Sequence, residues 1–373
     1  MIETKLANFE TDEKSVSMSM RARFESDAAY RTRIAETVKY MTAYQSGYVS
    51  PAKFAETMTT SDFPNLFGGV IDRTLLGGYR AAPSSYQDWC SIYRGAKDFR
   101  NLERHYLDLG DGALSTVAEN EEYPLSKLAE GKHTYKVEKY GRKFAFTFED
   151  FKADDLGALT TVPARMGTAA KRTTEKLATS LICDANGPDA TFFSDAHGNK
   201  LTLALNMANL KTAAQTLTDI SDAGDEPIYN DPAILVVPPA LKLTAQELVR
   251  TIQTEVSSGT SNTIYTAGMF GGLKIAVAPY ISKVITAGTV GKSSWFLFAD
   301  PAMLERPAVE IGFLQGMEEP QMFMKSPNAT AIGGGAVDAF TGDFATDAIE
   351  FKVRHIVGGM AMDYRGAVAS FGQ

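Results

Sequence analysis

Between Arg104 and Asn199 the spacing of apolar residues changes, and that change limits the fold more than any other feature of the chain. From His133 to Glu138 apolar and polar residues alternate, so Tyr135 and Val137 share one face of a strand. Past Gly141 the phase moves by one residue, to Phe144, Phe146 and Phe148. A glycine at a change of phase predicts a bulge or a sharp bend. The period then lengthens to three and four: Leu156, Leu159, Val162, Met166, Ala170, Leu177 and Leu181 mark one face of a helix. Pro163 is expected in its first turn, where a missing N–H costs nothing. Asn186-Gly187-Pro188 is expected to stop it. On this pattern Leu177 and Leu181 pack against the strands carrying Phe144, Phe146 and Val353, while Lys171 and Arg172 lie off the apolar stripe. A long antiparallel hairpin feeding a helix of more than about 30 Å forms a spine for the rest of the chain.

Upstream of it, residues 1–45 carry a loose amphipathic stripe that includes Phe24, Ile34 and Val38. That stripe is too polar to form a core alone, so it must lie against another surface. Residues 47–76 mix Gly, Pro and Thr with Phe54, Phe63, Phe67 and Leu75, which predicts an extended arm with helical pieces. A first strand is expected around Asn101–Leu109. Residues 111–132 then become polar and glycine-flanked around Glu119-Asn-Glu-Glu-Tyr-Pro, with Leu114, Val117, Tyr123, Leu125 and Leu128 scattered through them. This is the tip of the hairpin, and a hairpin alone is marginal in water, so it needs a neighbour.

Downstream, Leu201–Leu217 and Leu241–Glu255 read as helices. Ala233–Pro239, Leu273–Pro279 and Trp295–Pro301 read as buried strands, and Phe351–Gly366 as strand, turn and strand. Residues 326–347, rich in Gly, Ala and Thr, read as a surface loop. The mixture gives an α+β class.

Little in the chain points to catalysis. His105, His133, His197 and His355 lack the spacing of a zinc site, and there is no HExxH. Asp195 and His197 fit a hydrogen-bonded turn better than a metal site. Gly268-Met-Phe-Gly-Gly has no Walker lysine, and no GxSxG elbow is present. Asp154 and Asp155 complement a helix N-terminus. A net charge of −8 argues against a basic groove wrapped around nucleic acid. Cys90 and Cys183 are too few for a disulfide framework, which predicts a reducing compartment, with Cys183 as a buried, inert thiol. No apolar run reaches membrane-spanning length. No cofactor, metal or catalytic residue is assigned, and no enzyme activity is expected.

Several pieces, in this order along the chain, resemble the major head (capsid) proteins of tailed bacteriophages, in particular the Mu-like branch of the Hong Kong 97-type fold. They are Trp89-Cys90 with Asp98-Phe99, Tyr140-Gly-Arg-Lys-Phe, Asp154-Asp-Leu-Gly-Ala-Leu and Phe193-Ser-Asp-Ala-His-Gly-Asn. Leu235-Val-Val-Pro-Pro-Ala-Leu, Trp295-Phe-Leu-Phe-Ala-Asp-Pro and Ile311-Gly-Phe-Leu-Gln-Gly-Met-Glu-Glu-Pro follow, then Phe351-Lys-Val-Arg-His through Asp363-Tyr-Arg-Gly. The resemblance implies an N-terminal arm (1–100), an E-loop (111–132) and a peripheral domain with a spine helix (101–110 and 133–204). It also implies an axial domain (205–325) and peripheral return strands (348–373), with 326–347 as a surface insertion.

The resemblance further implies a structural protein that self-assembles as hexamers and pentamers into an icosahedral head around double-stranded DNA. The DNA would be met only by non-specific proximity. Implied partners are other copies of the chain and portal, scaffold, prohead-protease and decoration proteins, without a membrane. The implied location is the virion, after assembly in the host bacterial cytoplasm. The inter-subunit contact candidates are Leu114, Val117, Tyr123, Leu125, Lys127, Leu128, Phe24, Ile34 and Val38. Residues before Tyr86 match the family poorly. Some members cross-link E-loops by a lysine–asparagine isopeptide; Lys127 and Lys132 lie in or near the loop, but no asparagine partner or catalytic glutamate matches, so that chemistry is not carried over. The alternative reading is a soluble enzyme or ligand-binding protein using residues 205–325, with the hairpin as a lid.

Overall fold

The computed structural model describes residues 63–109, 116–123, 128–147, 158–222, 226–228, 230–250, 253–258, 261–266, 272–304, 306–325, 345 and 348–372. The chain divides into two compact units, residues 1–73, 145–159 and 324–350, and residues 74–144, 160–323 and 351–373. Most described residues belong to the second.

In chain order the elements begin with α1 (Phe63–Ala81), α2 (Tyr86–Trp89), β1 (Ser91–Ala96), β2 (Leu102–Leu109), β3 (Leu128–Tyr135), β4 (Glu138–Phe146) and α3 (Ala158–Ser180). There follow β5 (Lys200–Leu201), α4 (Met207–Thr218), β6 (Pro232–Val237), α5 (Lys242–Arg250), β7 (Gln253–Ser258), β8 (Ser261–Thr266) and β9 (Lys274–Val277). The last are α6 (Ile281–Val284), α7 (Val290–Ser293), β10 (Trp295–Ala299), β11 (Val309–Leu314), β12 (Gln321–Met324), β13 (Ile349–Ala361) and β14 (Ala367–Ser370).

Two five-stranded sheets share one core. The first runs β1-β11-β13-β12, with β4 also paired to β13, and the second runs β5-β14-β10-β6-β9. Strand β10 shows how the core is divided. All five of its residues are buried, the pattern of a strand covered on both faces. Phe296 and Phe298 pack with Trp89, Ile182, Ile311 and Phe313. Trp295, Leu297 and Ala299 pack with Leu210, Leu217 and Ala245 on the helical side. The period of two thus assigns alternate side chains to two halves of the core.

Residues 205–325, expected to form one domain, contribute to both sheets: β6, β9 and β10 lie in the second and β11 and β12 in the first. The helix expected over Leu241–Glu255 ends at Arg250, and Gln253–Ser258 and Ser261–Thr266 pair as an antiparallel ladder instead. The Thr, Val, Ile and Tyr residues of that stretch favour a pleated strand. The helix expected from Leu201 begins at Met207, where the Asn206 carboxamide accepts the Asn209 N–H at 2.8 Å.

The helix α3 forms as expected, with its bounds and buried face shifted. At about 1.5 Å per residue its 23 residues span roughly 35 Å. Pro163 lies inside the helix rather than in its first turn. The C-terminus comes at Ser180, six residues before Asn186, because a local turn competes there. The Asp184 carboxylate accepts the N–H groups of Asn186 at 2.7 Å and Gly187 at 2.9 Å.

Along α3 the buried positions are Pro163, Gly167, Ala170, Lys171, Thr174, Glu175, Ala178 and Thr179, while Val162, Met166, Leu177 and Leu181 flank them, half-buried. Leu177 and Leu181 pack on the cluster that holds Ile311, Phe313 and Val357; its β4 member is Tyr140. Phe144 stacks on Phe351 at 5.2 Å. Lys171, expected off the packed face, is only 6% exposed, whereas Arg172 is exposed as expected.

The polar residues of that face are buried because neighbouring elements satisfy them. Glu175 accepts the N–H groups of Ser85 at 3.0 Å and Tyr86 at 3.2 Å, and also the Ser85 hydroxyl. It therefore caps the first turn of α2 from another helix. Thr174 Oγ1 meets His355 Nε2 at 3.0 Å. The Lys171 ammonium lies over the rings of Tyr79 at 4.8 Å and Tyr86 at 5.2 Å. α1 crosses α3 at backbone contact. A Cβ on Gly167 would sit 2.0 Å from the Leu75 carbonyl oxygen, and one on Gly78 2.1 Å from that of Ala164. Only glycine permits this approach.

Candidate inter-subunit interface

The hairpin is the element that most needs an explanation. β2 and β3 pair antiparallel over eight residues, from Leu102↔Tyr135 to Leu109↔Leu128, and together form a separate two-stranded sheet. The second strand starts at Leu128, so the polar tip is shorter than the expected 111–132. At about 3.3 Å per residue the ladder is roughly 26 Å long.

Alternation sets its two faces. Leu102, Arg104, Tyr106, Gly131, His133 and Tyr135 are half or fully buried, while Glu103, His105, Leu107, Glu130 and Lys132 are exposed. The inner face is pinned to the first sheet by a carboxylate. Glu310, 3% exposed, receives Arg104 Nε at 2.9 Å and Nη2 at 2.6 Å. The Tyr135 hydroxyl donates to the same carboxylate at 2.5 Å, and the Arg104 guanidinium lies 3.8 Å above the Tyr93 ring. Burial, then the hydrogen bond to Glu310, pushes the Tyr135 phenol well above its ordinary range.

Further along, Tyr106 stacks on His133 at 4.9 Å, and Arg306 covers the Tyr106 ring at 4.7 Å. Burial holds His133 below the usual imidazole value. On the outer face Lys132 pairs with Glu103 at 2.8 Å, and that hydrogen bond lowers the Glu103 carboxyl. The base of the hairpin is therefore held on its inner face, while Leu107 on the outer face is 54% exposed.

Sequence reasoning placed Tyr135 on a strand face with Val137 but did not join it to Arg104 and Glu310. The available signal was Glu310 itself, a carboxylate within the otherwise apolar run Val309–Leu314, all of which is buried. The expected phase change belongs to this region as well. It falls at Glu138 and Lys139, two consecutive exposed residues between buried Val137 and half-buried Tyr140 at the start of β4, rather than at Gly141. Gly141 instead serves a close approach, since a Cβ there would lie 2.6 Å from the Val353 carbonyl oxygen.

Of the contact candidates, Val117 is half-buried and Tyr123 is 82% exposed. Leu128 opens β3. Phe24, Ile34, Val38, Leu114, Leu125 and Lys127 lie outside the described residues, as do Asp154, Asp155, Gly268 and the 326–344 stretch. His197 sits in a short turn, its Nδ1 3.1 Å from the Phe192 carbonyl and its ring stacked 3.9 Å from Tyr364. Asp195 pairs with Lys200 at 3.2 Å, so both residues serve the turn. Cys183 is 3% exposed, and burial raises its thiol far above the range of a reactive cysteine. Among the described residues no group of His, Cys, Asp and Glu is placed to hold a metal. No described helix is long and apolar enough to cross a membrane.

A family model described as phage capsid protein matches residues 130–370, from within β3 to the end of β14. The chain belongs to the phage capsid protein family. It is thus a structural major capsid protein of a bacteriophage. No curated protein matches its sequence.

Among solved structures, the capsid structure of cyanophage P-SCSP1u is similar with a TM-score of 0.50 at 10% identity, over 78% of this chain and 89% of that one. A Microbacterium phage Oxtober96 chain gives a TM-score of 0.48 at 11% identity, over 79% and 92%. A virus-like particle from Pyrococcus furiosus gives 0.45 at 11%, over 82% and 99%. The cyanophage likeness bears on the fold alone, and the other two are too loose to argue from.

Proposed function

We propose that copies of this capsid protein tile an icosahedral head as hexamers and pentamers around double-stranded DNA, in a Hong Kong 97-type arrangement of the Mu-like branch. In this reading residues 1–100 are the N-terminal arm, the β2–β3 hairpin with its tip is the E-loop, and α3 is the spine helix. Residues 205–325 are the axial domain and 348–373 the return strands. Portal, scaffold, prohead-protease and decoration proteins meet the shell during or after assembly in the host cytoplasm.

One observation carries the reading: the hairpin is clamped at its base by the Arg104–Glu310–Tyr135 group, while its ladder pairs with no other described strand. A rigid, extended ribbon adds contact area that a compact domain lacks. Repetition around a shell makes many weak contacts collectively strong. Limited proteolysis of full-length protein tests the contact role. Cleavage within 111–127 should be rapid in free subunits and suppressed in sedimented particles. Equal cleavage in both would overturn it.

A further inference from the structure

The chain carries a formal charge of −8, yet one groove is strongly basic. A shallow hollow of about 290 Å³ on β4 and β13 is lined by Lys139, Arg142, Lys143, Lys352 and Arg354, with Tyr140 on its wall. Among the described residues none of these five cations is in an ion pair. Like charges on paired strands repel, so an anion seated in the groove would stabilise the cluster. Two of its side chains are held in place. Arg354 donates to Gln321 Oε1 at 2.7 Å and lies over Phe323 at 4.7 Å, where Lys352 also sits at 5.2 Å. Arg354 Nε is buried without a hydrogen-bond partner.

We propose that this groove receives the acidic hairpin tip of a second copy of the chain. The inference rests on the shell reading and names a partner surface for the hairpin. The tip has the matching chemistry: Glu119, Glu121 and Glu122 are all exposed beside Tyr123. It is also built as a turn. The Glu121 N–H donates to the Ala118 carbonyl at 3.1 Å, the Glu121 carboxylate accepts the Ala118 N–H at 3.1 Å, and Asn120 takes a left-handed φ of 71°.

Along the chain the groove begins at Lys139, four residues beyond Tyr135, whereas the tip follows the other end of the β2–β3 ladder, so the occupant proposed is the tip of a neighbouring copy. Nucleic acid is the less fitting anion, because phosphate tracking calls for a basic face on a basic domain, and this groove lies on a chain of net charge −8.

The test is a charge swap in the full chain. Glu119→Lys with Glu122→Lys, and separately Lys143→Glu with Lys352→Glu, should each cut the yield of closed particles by about tenfold or more, since one weakened contact repeats in every subunit. Combining all four changes should restore most of that yield. Melts of unassembled subunits should match the parent throughout. Parent-like yield from both reversed pairs, or no rescue by the combination, overturns the docking but leaves the shell reading intact. Failure of the unmutated chain to assemble under any condition overturns the shell reading, and the docking with it. Normal empty shells from the groove variant, with loss of packaged DNA only, would give the groove to nucleic acid and also overturn the docking.

Discussion

Replacing Glu175 by alanine should be among the most damaging single changes in the subunit, although the residue sits on a helix where sequence alone suggests a solvated face. Its carboxylate is 3% exposed and accepts two backbone N–H groups and a hydroxyl from Ser85 and Tyr86. One turn earlier lies Lys171, whose ammonium is pulled down by burial and held up by Glu175 first and Glu319 second. Truncation therefore orphans donors and removes the carboxylate that acts most strongly on a buried cation. Removing a buried carboxylate that satisfies three donors and faces a buried cation costs about 3–5 kcal/mol. Removing both charges together, as Lys171→Met with Glu175→Leu, leaves only the unpaired donors and should cost about 1–3 kcal/mol. Urea titration of unassembled subunits, followed by circular dichroism, gives both numbers. A single-variant loss under about 1 kcal/mol, or a double variant no milder than the single, would refute the capping argument.

The buried His355 gives a pH signature. Burial, with Lys171 adding to it, holds its imidazole down to about 4 against an ordinary 6.5. As pH falls from 6.5 towards 4 the unfolded chain binds a proton that the fold refuses, so stability drops by up to about 3 kcal/mol and then levels off. His355→Gln should lose that part of the slope in denaturation curves taken between those pH values, and an unchanged slope would contradict the reasoning. At the hairpin base, Glu310→Ala should cost about 2–3 kcal/mol, discounted because the Arg104 side chain is 34% exposed. It should also speed amide exchange in 102–109 and 128–135 selectively. Ile182→Ala, at a fully buried site, should cost about 2–5 kcal/mol. Leu177→Ala, half-buried beside it, should cost visibly less in the same melts.

The strands at the centre of the fold were legible because their burial is two-sided: Trp295–Ala299 and Ala233–Val237 are apolar without alternation, and no helix of that length would be. The helix α3 was legible from its spacing, but its buried face was not. Lys171, Thr174 and Glu175 look solvent-bound until Tyr86, His355 and Ser85, 85 to 181 residues away, are brought against them, while Thr179 bonds back to the Glu175 carbonyl. Polar residues enter a core when distant partners satisfy them, and periodicity carries no record of distant partners. The same reason hid the Arg104–Glu310–Tyr135 clamp. The hairpin's need for a neighbour was visible, since its tip has too few apolar residues to bury, whereas the surface that could receive it emerges only when β4 and β13 lie side by side.

The central claim is that this chain is a shell tile, and electron microscopy of the purified full-length protein tests it most directly. Closed icosahedral particles or capsomer rings, with each hairpin lying across an adjoining subunit in the reconstruction, are the predicted result. A field of discrete monomers under all assembly conditions, or shells in which the hairpin touches only its own subunit, would contradict it.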